Sequence, residues 1–308
     1  MPDIKQVIDE IKKTIPEDRV LIDDPMADHT SFRIGGPADA LVLVNDEREL
    51  GEVLGLVKNC EHILIGNGSN FLVADEGYPG IMIKLEGEFD SITQDENDDT
   101  RVTVGGAKLL SGVSAFMTER GLAGFEFASG IPGSIGGAMF MNAGAYGGEM
   151  KDIVESVRLM KPDGSEIFEK SNEEMQFGYR HSSIQEDEAV VLSATFKMTE
   201  GNKKNIQKTV MELQQKRNSK QPVNYPSAGS TFKRPVGGYA AALIDEAGLR
   251  GTSVGGAQVS EKHAGFVINT GNATANDVLE LMRLIRRTVF EKSGIMLEPE
   301  VRLINCQL

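Results

Sequence analysis

At 308 residues the chain is longer than one small core can organise and suits two or three domains. Its 25% charged and 40% hydrophobic residues are ordinary for a soluble globular protein, no apolar run is long enough to span a bilayer, and two cysteines, Cys60 and Cys306, cannot build a disulfide framework, which fits a reducing cytoplasm. A net charge of −14 argues against nucleic acid or anionic lipid as a partner.

The N-terminus, MPDIKQVIDEIKK, lacks the continuous apolar stretch of a secretory signal. Ile4, Val7, Ile8, Ile11 and Ile15 instead predict a short amphipathic helix over 4–15. DPMADHTSFRIGGPAD reads as a turn-rich link. Residues 40–44 (ALVLV) read as a buried strand, and Asp46 as the cap of a helix with Leu50, Val53, Leu54 and Val57 on one face. A strand at His62–Ile65 runs into GNGSN at 66–70, and 81–85 is another strand. This β-α-β-loop-β order predicts a small α/β lobe.

The acidic segment 86–100 reads as loops with an edge strand and marks the first boundary. A strand at 101–104 follows, then a helix over 111–120 that turns Val113, Phe116 and Met117 inward and is closed by Gly121. Beyond the next stretch, which is rich in glycine, strands are predicted at Val154–Met160, 166–169 and 189–198. PDG at 162–164 joins the first two, completing a second, α+β lobe. After a polar break at 201–204 come a helix over 205–218 with Ile206, Val210 and Leu213, and another over 240–247. A strong helix over 275–292 follows, with Val278, Met282, Ile285 and Val289 aligned and Thr274 and Asp277 as a capping box.

Residues 121–148, GLAGFEFASGIPGSIGGAMFMNAGAYGG, are the most informative stretch. So many glycines cost backbone entropy. What they provide is close approach of backbone N–H groups, and a run of such groups binds anions. A phosphate-bearing cofactor is the natural occupant; a plain turn region between strands is the alternative. GNGSN supplies a second such loop in the other lobe, and two loops can clamp a pyrophosphate from both sides. The candidate cofactor residues are Gly66, Asn67, Gly68, Ser69 and Asn70, with Gly133, Ser134, Gly136, Gly137, Asn142, Gly144 and Ala145.

Other chemistries find no support. A Walker A loop is absent, and GNGSNF has Phe71 where a Rossmann fingerprint needs its third glycine. His29, His62, His181 and His263 are scattered, with no metal-ligand spacing, so no metal is expected. Residues 216–234 hold Lys216, Arg217, Lys220, Lys233 and Arg234 and no acid. In an acidic chain this island reads either as a site for an anionic small molecule or as a solvated charge run at a helix end.

The blocks TSFRIGGPAD, GNGSN, GLAGFEFASGIPGSIGGAMFMNAGAYGGE, FGYRHS, GSTFKRP and LEPEVRLI, in this order from about 23 to 304, closely resemble the UDP-N-acetylenolpyruvoylglucosamine reductase family. The short interval from Ser230 to Glu300 is similar to the compact class, without the extra loop that covers the substrate. The resemblance implies an α+β protein with a two-lobed, non-Rossmann FAD-binding fold of the vanillyl-alcohol-oxidase-like kind, over 1–84 and 85–203. A C-terminal α+β substrate domain over 204–308 would follow, its terminal strand returning to the active site. It further implies that NADPH reduces noncovalently bound FAD, which in turn reduces UDP-N-acetylglucosamine enolpyruvate to UDP-N-acetylmuramate for bacterial peptidoglycan.

Three catalytic residues follow from the motifs: Ser230 as proton donor, and Arg180 and Glu300 as the pair at the substrate carboxylate. Glu298 is a rival to Glu300 that spacing alone does not eliminate, since both face one side of a strand. Lys220, Lys233 and Arg234 become candidates for the UDP phosphates. For His263 and Tyr179 a substrate contact and a structural role both stay open. A small-molecule substrate is the expected partner, with no nucleic acid, membrane or obligate protein partner, in the cytoplasm. One basic island predicts that NADPH and the sugar nucleotide use it in turn. An FAD-dependent oxidase on the same fold and a nucleotide-sugar-binding module without chemistry are the rival readings.

Overall fold

The computed structural model describes residues 3–308; Met1 and Pro2, where the first predicted lobe begins, lie outside the described residues. Helices and strands are mixed throughout, and the chain divides into two compact units. One comprises Met1–Ile22, Ala40–Asn67 and Gly80–Lys216, the other Asp23–Asp39, Gly68–Pro79 and Arg217–Leu308.

The first unit holds two hydrophobic cores. Around one, the predicted N-terminal helix forms at Ile4–Thr14, capped by Asp3, and buries Val7, Ile8 and Ile11. The helix Glu47–Val57 is capped as expected, with Asp46 accepting the Glu49 N–H at 2.7 Å, and buries Leu50, Val53, Leu54 and Val57. Both lie in one cluster with Val42, Val44, Ile81 and Ile83 of a four-stranded sheet. The strand order is Val20–Pro25, Pro37–Val44, Tyr78–Leu85, His62–Ile65, with the last two parallel.

The second core lies against an antiparallel sheet in the order Ile167–Ser171, Val154–Met160, Val190–Lys197, Arg101–Gly105, Ile92–Gln94. Its largest fully buried side chains are Phe125 and Phe196, whose rings meet edge to face at 5.6 Å. The helix Leu110–Arg120 ends at Gly121 in the left-handed conformation, as the sequence predicts. Neither sheet is the all-parallel, doubly wound sheet of a Rossmann fold.

In the first unit, Arg19 donates two hydrogen bonds of 2.7 Å to the Glu49 carboxylate, which also accepts the Asn45 N–H at 2.9 Å. The side chains are 18% and 8% exposed, so removing one partner strands a poorly solvated charge. Glu49→Ala is therefore expected to lower unfolding free energy by about 2–3 kcal/mol in urea titrations. The paired Arg19 guanidinium holds the Glu49 carboxyl below the usual glutamate range, against the opposing effect of burial. Its stabilisation is thus complete above the unfolded pKa of about 4.3 and is lost as pH falls through the lower folded value. Wild type and Glu49→Ala should converge in stability in that acidic window.

The second unit is built on the helix Ala275–Ser293, which buries Val278, Leu281, Met282, Ile285 and Val289. The predicted Thr274–Asp277 capping box is present. Asp75 adds to it, accepting the Ala275 and Asn276 N–H groups at 2.7 and 3.0 Å. The helix packs in one core with Leu72, Phe232, Val259 and Val267.

Three local expectations differ from the structure. The segment 24–39, read as a turn-rich link, takes in the end of the strand Val20–Pro25, a 3₁₀ turn at Met26–His29 and the start of the strand Pro37–Val44, and it buries Phe32 and Ile34 in the second unit's core. Phe71–Val73, too short to show a period, is a strand parallel to Arg302–Ile304. The helix expected over 205–218 runs Lys203–Lys220 with only Ile206 buried, because Val210 and Leu213 make too narrow an apolar stripe to seat it. No helix among the described residues is long and apolar enough to cross a membrane.

Candidate active site

In the first unit the two glycine-rich loops meet. A Cβ built on Gly66 would lie 2.7 Å from Ser134 Oγ, so glycine at 66 permits this approach. Ser134 is 3% exposed, caps the short helix Ile135–Phe140, and accepts the Gly137 N–H at 3.5 Å. The Ile135 and Gly136 N–H groups donate to the Lys108 and Gly106 carbonyls at 2.9 and 2.7 Å, and Leu110 N–H to the Gly133 carbonyl at 3.0 Å. Several amides expected to face a phosphate are thus engaged within the protein. Gly144 and Ala145 form one arm of a hairpin with Gly148 and Glu149, turned through Tyr146 and Gly147, both at positive φ.

Asn142 is buried, and its side chain is fully used. Nδ2 donates to Glu149 at 2.6 Å and to the Gly178 carbonyl at 2.9 Å, while Oδ1 accepts the Lys151 N–H at 3.0 Å. That second bond fixes the turn presenting Tyr179 and Arg180. The turn closes through Gly178 N–H to His181 O at 3.0 Å and the reverse bond at 3.3 Å. Gln185 pins the Arg180 carbonyl at 3.1 Å, and the guanidinium lies 5.4 Å from the Tyr179 ring centroid. Arg180 holds φ +55°, a conformation that costs a non-glycine residue about 1 kcal/mol or more. Arg180→Gly is expected to leave thermal stability within about 1 kcal/mol of wild type. The same variant should lose most of its kcat/KM, which steady-state kinetics would report.

In the second unit Gly68 and Asn70 continue the GNGSN loop. The Gly68 carbonyl accepts the Ser31 N–H at 3.2 Å. Asn70 Nδ2 donates to the Glu300 carbonyl at 3.2 Å, and the Asn70 carbonyl accepts the Arg302 N–H at 2.9 Å. Glu300 is held on its other side by its N–H to Thr231 O at 2.9 Å, and Thr231 follows Ser230 directly. Thr231 in turn donates its N–H to Gly265 O and accepts the Val267 N–H on Oγ1, both at 2.9 Å. The backbone of Glu300 is therefore tied by hydrogen bonds to Asn70 and to Thr231, the residue after Ser230.

These bonds separate the two glutamates. The Glu298 side chain is 74% exposed and lies 3.8 Å from Lys233 Nζ, whereas Glu300 is half-buried between Asn70 and Thr231. Lys233 thus faces Glu298. Lys220 sits exposed in the last turn of the helix Lys203–Lys220. Arg234 lies over the Tyr239 ring at 4.2 Å. His263 accepts the Gly265 N–H on Nδ1 at 3.2 Å, which leaves Nε2 as the N–H donor, and burial pushes its pKa down.

A family model described as UDP-N-acetylenolpyruvoylglucosamine reductase, C-terminal domain, matches residues 221–304, and one described as FAD binding domain matches 38–168. The UDP-N-acetylenolpyruvoylglucosamine reductase of Clostridioides difficile (strain 630) is 51% identical over 293 residues, covering 94% of this chain and 95% of the relative. The chain belongs to the UDP-N-acetylenolpyruvoylglucosamine reductase family. The reductase of that name from Caldanaerobacter subterraneus subsp. tengcongensis is 45% identical, covering 97% of this chain and 98% of the relative. The crystal structure of UDP-N-acetylenolpyruvylglucosamine reductase from Thermus caldophilus matches with a TM-score of 0.79 at 38% identity, over 91% of this chain and 97% of that one.

The C-terminal family match spans Ser230 and Glu300, and the FAD-binding match spans both glycine-rich loops. Two further residues carry no sequence signal of their own. Ser129 is one serine in a glycine-rich run, yet its buried hydroxyl has no hydrogen-bond partner among the described residues. Tyr239 is an ordinary helix-start residue until its ring is seen beneath Arg234.

Proposed function

We propose that the protein uses NADPH, by way of noncovalently bound FAD, to reduce UDP-N-acetylglucosamine enolpyruvate to UDP-N-acetylmuramate in the cytoplasm, as a step in peptidoglycan precursor synthesis. The observation that carries this reading is the 51% identity to a reductase of that name over 95% of its length. The residues also suit a flavin dinucleotide: the close approach at Gly66 supports a loop against which a cofactor can lie, and the unpartnered Ser129 hydroxyl is a donor suited to a ligand. Residues 1–84 and 85–203 are the proposed FAD lobes, and 204–308 the sugar-nucleotide domain.

The chemistry that bound FAD supplies is two-electron hydride storage between the two substrates. The chain's own residues do the rest. The Arg180 guanidinium holds the substrate carboxylate through paired hydrogen bonds and steadies the negative charge that builds there when hydride adds to the enol ether. Glu300 is the partner of Arg180 at that carboxylate. The Ser230 hydroxyl gives its proton to the neighbouring carbon, completing the lactyl ether. Lys220 and Arg234 bind the diphosphate.

The test is anaerobic. NADPH should bleach the visible flavin band of the purified protein, and UDP-N-acetylglucosamine enolpyruvate should restore it with formation of the muramate product. Bleaching that only oxygen reverses would indicate an oxidase, and a colourless protein that cannot take up FAD a binding module; either sinks the reductase.

A further inference from the structure

We propose that Tyr239 is a positioning residue that holds the Arg234 guanidinium ready for the diphosphate of the sugar nucleotide; this rests on the functional reading above. The two residues come together through a tight turn. Pro235 restricts Arg234 to extended backbone, Gly238 N–H donates to the Pro235 carbonyl at 3.4 Å, and Gly237 takes φ +84°. The chain reverses at Val236, which is 99% exposed, and returns to Tyr239.

Tyr239 is a firm platform. Its carbonyl accepts the Ala242 and Leu243 N–H groups at 3.0 and 3.2 Å in the first turn of the helix Ala240–Glu246, whose Ala240 and Ile244 are buried. The residue is 60% exposed, and the Arg234 guanidinium carbon lies 4.2 Å from its ring centroid. An exposed aromatic at that position is costly to solvate and packs into no core, so it is better explained by what it holds.

A ring contact consumes none of the guanidinium's hydrogen-bond donors. It removes rotamer freedom that an arginine in a surface loop otherwise loses on binding, so the fork meets a phosphate already ordered. The neighbouring Lys233 is drawn toward Glu298, which leaves Arg234 as the cation of this loop set over an aromatic ring.

The experiment measures binding of UDP and of uridine to the FAD-loaded protein by calorimetry. Tyr239→Ala should weaken UDP about two- to fivefold, the size of an exposed cation–π contact. It should leave uridine unchanged, and Tyr239→Phe should bind UDP as wild type does. Arg234→Ala should weaken UDP about tenfold or more. Adding Tyr239→Ala to Arg234→Ala should cost nothing further. An undiminished UDP affinity in Tyr239→Ala overturns the proposal, as does an equal loss with and without Arg234. An equal loss for uridine would mean the ring meets the base instead. A wild type that bleaches with NADPH but binds no UDP would overturn the functional reading as well, whereas a wild type that binds UDP with indifferent Tyr239 variants sinks this proposal alone.

Discussion

Ser230→Ala is expected to leave bleaching by NADPH intact and to slow return of the flavin band with UDP-N-acetylglucosamine enolpyruvate by about 10²–10⁴-fold, the usual worth of a positioned acid. Hydride and proton add to different carbons of the enol ether, and only the second half-reaction needs the proton. Loss of one hydroxyl leaves the surrounding segment intact, because it is held through Thr231: its N–H to Gly265, its carbonyl to Glu300 and its Oγ1 to Val267. Stopped-flow measurement of the two half-reactions separates the roles. Equal slowing of both would mean that Ser230 supports the fold or the cofactor, and the proton would need another source.

Gly68→Ala should be the most destabilising single-methyl change in either glycine-rich loop, costing more than about 3 kcal/mol. Gly68 holds φ +59°, and a Cβ there would lie 2.0 Å from the His29 carbonyl oxygen and 2.9 Å from Thr30 Cα. Both obstacles are backbone, so the loop must move and give up the Ser31–Gly68 hydrogen bond beside buried Phe32. Gly66→Ala is the control. Its Cβ would press on the Ser134 hydroxyl, a side chain rather than backbone, so stability should fall far less than in Gly68→Ala while FAD affinity falls. Thermal melts of FAD-free protein and fluorescence titration with FAD distinguish the two. Equal stability in both variants would refute the packing role assigned to Gly68.

The pair shows how sequence and structure divide the information. As letters, Gly66 and Gly68 read alike, as members of an anion cradle. Gly68 is there because a carbonyl occupies the space of its side chain, and Gly66 because it faces Ser134. Likewise Asn142 reads as a cofactor donor, yet its amide is used in holding the Arg180 turn. Glycine and amide side chains serve both purposes, and only their neighbours tell which.

Local elements were legible because their causes are local. Apolar spacing, the Asp46 cap, the Thr274–Asp277 box and the Gly121 stop each act within a few residues, and each appears where the sequence puts it. The family was legible too, since its motif blocks survive in order along the chain. What the tertiary structure alone decided are meetings of residues far apart. Phe71–Val73 pairs with Arg302–Ile304, Asp75 caps a helix two hundred residues on, Asn70 fixes the Glu300 backbone, and Glu298 is turned out to Lys233. No periodicity encodes such contacts, because they depend on where the whole chain returns rather than on the residues beside them.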